Sequence, residues 1–190
     1  YLRIADELYL KRLIVGGMER VYEIAKDFRN EGMDSTHNPE FTMLELYQAY
    51  ADYHDIMRLS EEMFRVVAQD VNGTTIVRKG EHTIDLGEPW ARLPMPEAVG
   101  TYLGLDAMTA SADELGAAAR AMGVSITPGT SWGNIIAEVF EARIEDTIVQ
   151  PTFVMDHPVD ISPLAKVHRR DPRLTERFEI FIAGAEMGNA

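Results

Sequence analysis

The sequence predicts an α+β fold, and three observations carry that prediction. Arg20 to Phe28 and Phe41 to Tyr50 alternate in polarity on either side of a long polar loop, Arg29 to Glu40, which suggests an antiparallel pair of strands. Asp55 to Val71 instead repeats apolar residues at helical intervals, with Ile56, Leu59, Met63, Val66 and Val67 in the stripe. Strand-like stretches recur downstream at Pro151 to His157 and Arg177 to Ala183, so both element types are interleaved in 190 residues.

Taken in order, Tyr1 to Arg12 reads as a helix on the spacing of Leu2, Asp6, Tyr9 and Leu13, and Gly16-Gly17 breaks it. A period of two sorts the second strand into a face of Phe41, Met43, Glu45 and Tyr47 and a greasier face of Thr42, Leu44, Leu46 and Gln48. Asn72-Gly73 supplies the C-terminal stop of the helix over Asp55 to Val71. Thr75 to Leu86 reads as a hairpin turning at Lys79-Gly80, and Pro94 to Tyr102 as a short helix. Ser111-Ala112-Asp113-Glu114 is a capping-box pattern that opens an Ala-rich helix ending at Gly123, and Trp132 to Ile144 forms another. The segment from Gly104 to Gly129 reads as a small helical insertion within a single domain, 1–190, without chemistry of its own.

Composition bounds the function. A length of 190 residues suits one core, with 46% hydrophobic and 26% charged residues, as in ordinary globular proteins. No run approaches the roughly 20 apolar residues of a membrane span, so no membrane partner is expected. The formal charge of -13 repels polyanions, so this segment by itself should bind nucleic acid weakly, whereas a small cation would be concentrated by acidic walls. The absence of cysteine excludes disulfides and thiolate metal sites, and it suits a reducing compartment.

The chemistry concentrates in Phe28-Arg29-Asn30-Glu31-Gly32, then His37-Asn38-Pro39-Glu40-Phe41-Thr42 and Leu44-Glu45-Leu46-Tyr47. These stretches resemble motif 2 of class II aminoacyl-tRNA synthetases in its lysyl form. The flanks Glu7-Leu8-Tyr9-Leu10-Lys11-Arg12 and Ala51-Asp52-Tyr53 agree, as do Gln150-Pro151-Thr152-Phe153, Ser162-Pro163-Leu164-Ala165, and Arg177-Phe178-Glu179 through Glu186-Met187-Gly188-Asn189. The resemblance covers essentially the whole chain. It implies the class II α+β architecture, a mostly antiparallel sheet with flanking helices, here incomplete.

The residue types suit the implied reaction. Activating an amino acid brings its carboxylate onto the α-phosphorus of ATP, so two anions must be held in line. A planar guanidinium at a strand end, Arg29, can fork onto both and stabilise developing charge, although a lone Arg would more commonly form a surface ion pair, for example with Glu31. By resemblance Glu31 and His37 contact the nucleotide and Phe41 stacks on adenine, where the bland readings are a polar loop and a core aromatic. Glu45 and Tyr47 share a strand face, and a carboxylate beside a phenol suits the ε-ammonium of lysine. Glu7 resembles the residue that holds the α-amino group, with an i,i+4 pair to Lys11 as the alternative. Asn189 resembles another lysine-site position. Glu179 and Glu186 resemble carboxylates that hold Mg²⁺ against ATP phosphates. Their separation of seven would place them on opposite faces of an uninterrupted strand, and a bulge at Gly184 is the expected remedy.

The resemblance further implies lysine, ATP and tRNA(Lys) as partners of a complete, cytoplasmic homodimer. The dimer-forming motif 1, the Arg-bearing motif 3 and an anticodon-binding domain are not in this sequence, so the chain alone is expected to be inactive in tRNA lysylation. Two other readings share the same motif: a paralogue that passes activated lysine to a protein or a lipid, and a non-catalytic module that binds lysine or nucleotide.

Overall fold

The computed structural model describes residues 2–34 and 37–190. Tyr1, where the predicted first helix begins, and Ser35 and Thr36 of the predicted loop lie outside the described residues. The chain divides into two compact units, Tyr1–Asp52 and Tyr53–Ala190.

In the first unit a short helix accompanies a two-stranded ribbon. Helix α1 spans Glu7–Val15, starting later than predicted. The Arg3 carbonyl accepts from the Phe28 amide at 2.7 Å, so the chain before Asp6 lies along the ribbon end and cannot coil. Gly17, at φ 101°, ends the helix with Met18 N–H donating to the Leu13 carbonyl. Strand β1, Arg20–Phe28, pairs antiparallel with β2, Glu40–Gln48, from Arg20↔Gln48 to Phe28↔Glu40. Tyr50 takes φ 58°, which stops β2 before the predicted end at Tyr50. Val21, Glu23, Ala25 and Asp27 thus share a face with Tyr47, Glu45, Met43 and Phe41, and these side chains are half-buried or buried. The greasier face is the open one, with Tyr22 72% and Ile24 66% exposed.

The second unit is layered. Helix α2, Tyr53–Asn72, extends past both predicted ends, and Gly73 caps it at φ 70°. Its buried residues are Tyr53, Met57, Ser60 and Ala68, while Leu59, Val66 and Val67 of the predicted stripe are exposed. The apolar arc on this helix is broader than the surface available to cover it, and Phe64 against Trp90, with ring centroids 5.2 Å apart, helps set which side turns inward. Strands β3, Ile76–Lys79, and β4, His82–Asp85, form the predicted hairpin around Gly80.

A four-stranded sheet follows in the order β5 (Ala91–Pro94), β6 (Thr152–Met155), β7 (Phe178–Ile182), β8 (Ala185–Asn189). The β5–β6 pair is parallel, and the remaining pairs among the described strands are antiparallel. A parallel pair needs a long crossover, supplied here by α3 (Met95–Leu103), α4 (Ala112–Ala121) and α5 (Trp132–Arg143). The capping box forms as predicted: Ser111 N–H donates to Glu114 Oε2 at 2.8 Å, and Glu114 N–H to Ser111 Oγ at 3.3 Å. From α4, Leu115 and Ala119 join Val99, Ile135 and Phe140 in one core.

The sheet has a core on each face. Phe153, Phe178, Ile180 and Ile182 pack with Met57 and Trp90, whereas Val154 and Phe181 pack with the crossover helices. The period of two therefore turns Glu179 to the crossover side with Phe181. No helix among the described residues is long and apolar enough to cross a membrane.

Phe140 is fully buried and meets Phe181 edge-on at 5.9 Å between ring centroids. Phe140→Ala should cost about 3–5 kcal/mol through lost burial and an incompletely collapsed cavity. Urea unfolding followed by tryptophan fluorescence checks this directly, because Trp90 and Trp132 both lie in the second unit. A loss below about 1 kcal/mol would mean that this helix–sheet contact does not hold the unit together.

Candidate functional site

In the first unit the expected ATP and lysine residues lie on the ribbon and the loop joining its strands, except Glu7, which lies on α1. Arg29 follows β1 directly, its amide donating to the Pro39 carbonyl at 2.9 Å, so the loop leaves and returns at one point. Its Nε donates to the Ile4 carbonyl at 3.2 Å, and its guanidinium lies 5.1 Å from the centre of the Phe41 ring. Backbone contact and cation–π attraction thus hold an exposed cation at the strand end with a ring below it. Arg29 does not pair with Glu31, as the bland reading had it. The Glu31 amide donates to the Arg29 carbonyl at 3.0 Å, and its side chain is exposed.

His37 is exposed and held by Asp34: its amide donates to Oδ1 at 2.7 Å, and its Nδ1 lies 2.9 Å from Oδ2. The hydrogen bond and the negative charge of Asp34 push the imidazole pKa up.

Glu45 is positioned from two sides. Oε1 accepts from the Asp6 amide at 3.3 Å, and Oε2 accepts from the Tyr47 hydroxyl at 3.2 Å. Burial pushes the Glu45 carboxyl above its ordinary range, these two hydrogen bonds pull it back, and the charges of Asp6 and Asp27 push it up again. The Tyr47 phenol is raised by burial and then by Glu45, so it remains a donor. Glu7 forms the i,i+4 ion pair with Lys11, and Lys11 Nζ sits 5.7 Å from the Tyr47 ring centre.

In the second unit Glu179 and Glu186 line one cavity of about 140 Å³, and the route to that arrangement differs from the predicted one. Ala183 and Gly184, at φ 51° and 69°, form a hairpin turn, so the two glutamates stand on adjacent strands. Glu186 pairs with Phe181, two residues from Glu179, and the register shift lies at Ile180/Phe181 instead of at Gly184. Asn189 Nδ2 donates to Glu186 Oε1 at 3.3 Å.

In and beside the cavity stand residues to which the sequence reading gave no role. Arg177 donates from Nη2 to Glu179 Oε1 at 2.6 Å and from Nη1 to Ser162 Oγ at 2.8 Å. Glu141 and Glu145, four apart at the end of α5 and just beyond it, line the same space with His157. Their i,i+4 spacing was the available signal. Burial lifts Glu179 to about 7; Arg177 opposes this, and Glu186, Glu145 and Glu141 add to it. Burial and the Arg177 charge lower His157 to about 4, and its Nε2 lies 3.0 Å from the Val154 carbonyl, so the ring is neutral at pH 7. Among the described residues no three His, Asp or Glu side chains form a ready metal cage. Two carboxylates facing one cavity still suit Mg²⁺, which takes few protein oxygens when phosphates and water complete its shell.

Comparison with known proteins converges on one family. Residues 1–190 match the family described as tRNA synthetases class II (D, K and N). Lysine–tRNA ligase of Staphylococcus saprophyticus is 54% identical over 191 residues, covering 100% of this chain and 39% of the relative. Lysine–tRNA ligase of a Roseiflexus species is 56% identical over 192 residues, with 100% of the chain and 39% of the relative covered. That of Pelotomaculum thermopropionicum is 54% identical over 193 residues, at 100% and 38%. The chain therefore spans well under half the length of these relatives. With a whole-chain family match and relatives of this identity, the chain belongs to the class II tRNA synthetases.

Proposed function

We propose that the protein carrying this chain is a lysine–tRNA ligase, which joins lysine to ATP as lysyl-adenylate and then passes the lysyl group to tRNA(Lys). One observation carries the reading: Glu45, held by Tyr47 and the Asp6 amide, shares a ribbon face with Phe41, while Arg29 stands at the strand end above that ring. The relatives' shared name supports it independently.

In this reading a lysine carboxylate oxygen attacks the α-phosphorus and pyrophosphate leaves. Arg29 bridges carboxylate and α-phosphate, bringing them together and countering charge that builds up on the phosphoryl oxygens. Phe41 offers its ring to the adenine, and Glu31 and His37 contribute contacts from the loop. Glu45 and Tyr47 receive the ε-ammonium. An uncharged side chain would leave the half-buried Glu45 without its countercharge, which selects for lysine. Glu7 would serve the α-amino group after exchanging its pairing with Lys11, and the resemblance assigns Asn189 a lysine contact as well. Glu179 and Glu186 would hold Mg²⁺, which neutralises charge on the ATP phosphates when bound. Partners and setting follow the same reading: a cytoplasmic homodimer acting on tRNA(Lys), with the tRNA held mainly by regions outside this acidic chain.

In the full-length protein Arg29→Ala should reduce lysine-dependent ATP–pyrophosphate exchange by at least about a hundredfold, and near-normal exchange would remove Arg29 from the mechanism. Glu45→Gln should raise KM for lysine far more than KM for ATP; equal changes would contradict its selecting role.

The raised Glu179 carboxyl carries a pH signature. The unfolded chain releases this proton near 4.5 and the folded chain retains it to about 7. Its contribution to stability is therefore fully present below 4.5 and is lost as pH rises through 7. Without divalent cations Glu179→Gln should remove a decline on the order of 3 kcal/mol between pH 4.5 and 7.5, measured by urea unfolding across that range. Parallel curves for both proteins would show that Glu179 does not hold its proton.

A further inference from the structure

The ribbon face that carries Glu45 also carries more negative charge than its contacts neutralise. The register aligns Glu23 directly opposite Glu45 and puts Asp27 on the same face. The extended segment before α1 brings Asp6 there too, its amide bonded to Glu45 Oε1. The Asp6 and Asp27 side chains are 0% exposed, and neither Asp27 oxygen has a hydrogen-bond partner among the described residues. Arg3 Nη1 lies 2.8 Å from Asp6 Oδ1 and 2.8 Å from Glu23 Oε1. The Arg3 guanidinium thus meets two carboxylates, Asp6 and Glu23, on a face that also carries Asp27 and Glu45.

Burying a carboxylate without a partner costs several kcal/mol, so a purely structural role would be better served by a neutral residue at Asp27. The cost has a use if a cation is to arrive beside it. We propose that Asp6 and Asp27 are positioning residues for substrate selection: this buried pair supplies the negative field behind Glu45 and sets how strongly the ribbon face draws a cationic side chain. This rests on the reading of Glu45 as the residue that meets lysine.

The groups around the pair are consistent with that role. Asp6 is pushed up first by burial and then by Asp27 and Glu23, with Arg3 opposing. Glu45 in turn feels Asp6 and Asp27. Helix α1 contributes Glu7 and Lys11, which pair with each other, and β2 contributes the Tyr47 hydroxyl, which donates to Glu45. Arg29 is engaged by the Ile4 carbonyl and the Phe41 ring. Removing the charge of Asp27 therefore has two effects of opposite sign. Where every carboxylate is ionised, the weaker field lowers lysine affinity. On the acid side, Glu45 ionises more readily and keeps its countercharge to a lower pH.

The test is the pH dependence of kcat/KM for lysine in ATP–pyrophosphate exchange, on the full-length protein, for Asp27→Asn and Asp6→Asn beside Glu45→Gln. Asp6→Asn keeps the amide that holds Glu45, and it carries the test if Asp27→Asn does not fold. At pH 8 the expected result is KM for lysine raised about three- to tenfold with KM for ATP within about twofold. The acid limb should also move down by about half a pH unit or more. A structural defect would lower activity at every pH and leave the limb in place, and that outcome, or equal changes in both KM values, overturns the proposal. If Glu45→Gln itself leaves KM for lysine unchanged, the reading of Glu45 fails. If Glu45→Gln raises that KM and neither aspartate variant shifts the limb, the field proposal alone fails.

Discussion

The antiparallel register of β1 and β2 is the constraint on which the first unit depends. Because Val21 pairs with Tyr47 and Asp27 with Phe41, one face collects the aromatic ring, the carboxylate and the phenol of the candidate site. A slip of one residue would send all of them to the open side and bring Tyr22, Ile24 and Leu44 inward. The backbone pins that register at both ends: Phe28 to Arg3 and Arg29 to Pro39 at one, Ala49 to Glu19 at the other. With the chain before α1 held along the ribbon end by the Phe28–Arg3 bond, the Asp6 amide reaches Glu45 Oε1. The candidate site and the local fold therefore rest on neighbouring hydrogen bonds of one ribbon.

The second unit builds its acidic cavity from a different source of order. A sheet with a core on each face must choose, residue by residue, which core each side chain joins. Phe178, Ile180 and Ile182 join one, and Phe181 joins the other. Glu179 falls on the Phe181 side, where α5 presents Glu141 and leaves room for carboxylates. Its proton is held by surroundings that are apolar below and negative around it, with Arg177 as the counterweight. In the proposed reading a divalent cation would suit such a site, because every neighbouring carboxylate gains from its arrival.

How much was legible follows from how local each signal is. Strand β1 and the capping box before α4 are written in residues that are neighbours in sequence, and both stand where expected. The period of helix α2 is legible but its inward side is not, because its apolar residues cover a broad arc and packing with Trp90 picks the stripe. Strands β5 and β8 have no legible pattern in the sequence. Ala91–Pro94 is too short to show a period, and Ala185–Asn189 carries too little apolar pattern.

By itself the sequence determined the chemistry on offer: Arg29, Phe41, Glu45 and Tyr47 at spacings that a strand, loop and strand must arrange, and two glutamates near its far end. Side-chain identity and short-range period are properties of the chain, so they survive without coordinates. Only tertiary structure decided that the Ala183-Gly184 turn folds Glu186 back beside Phe181, and that Asp6 and Asp27, residues expected in water, are enclosed. Burial and cross-strand neighbourhood arise from contacts between distant segments. No local period encodes which carboxylate will lose its water.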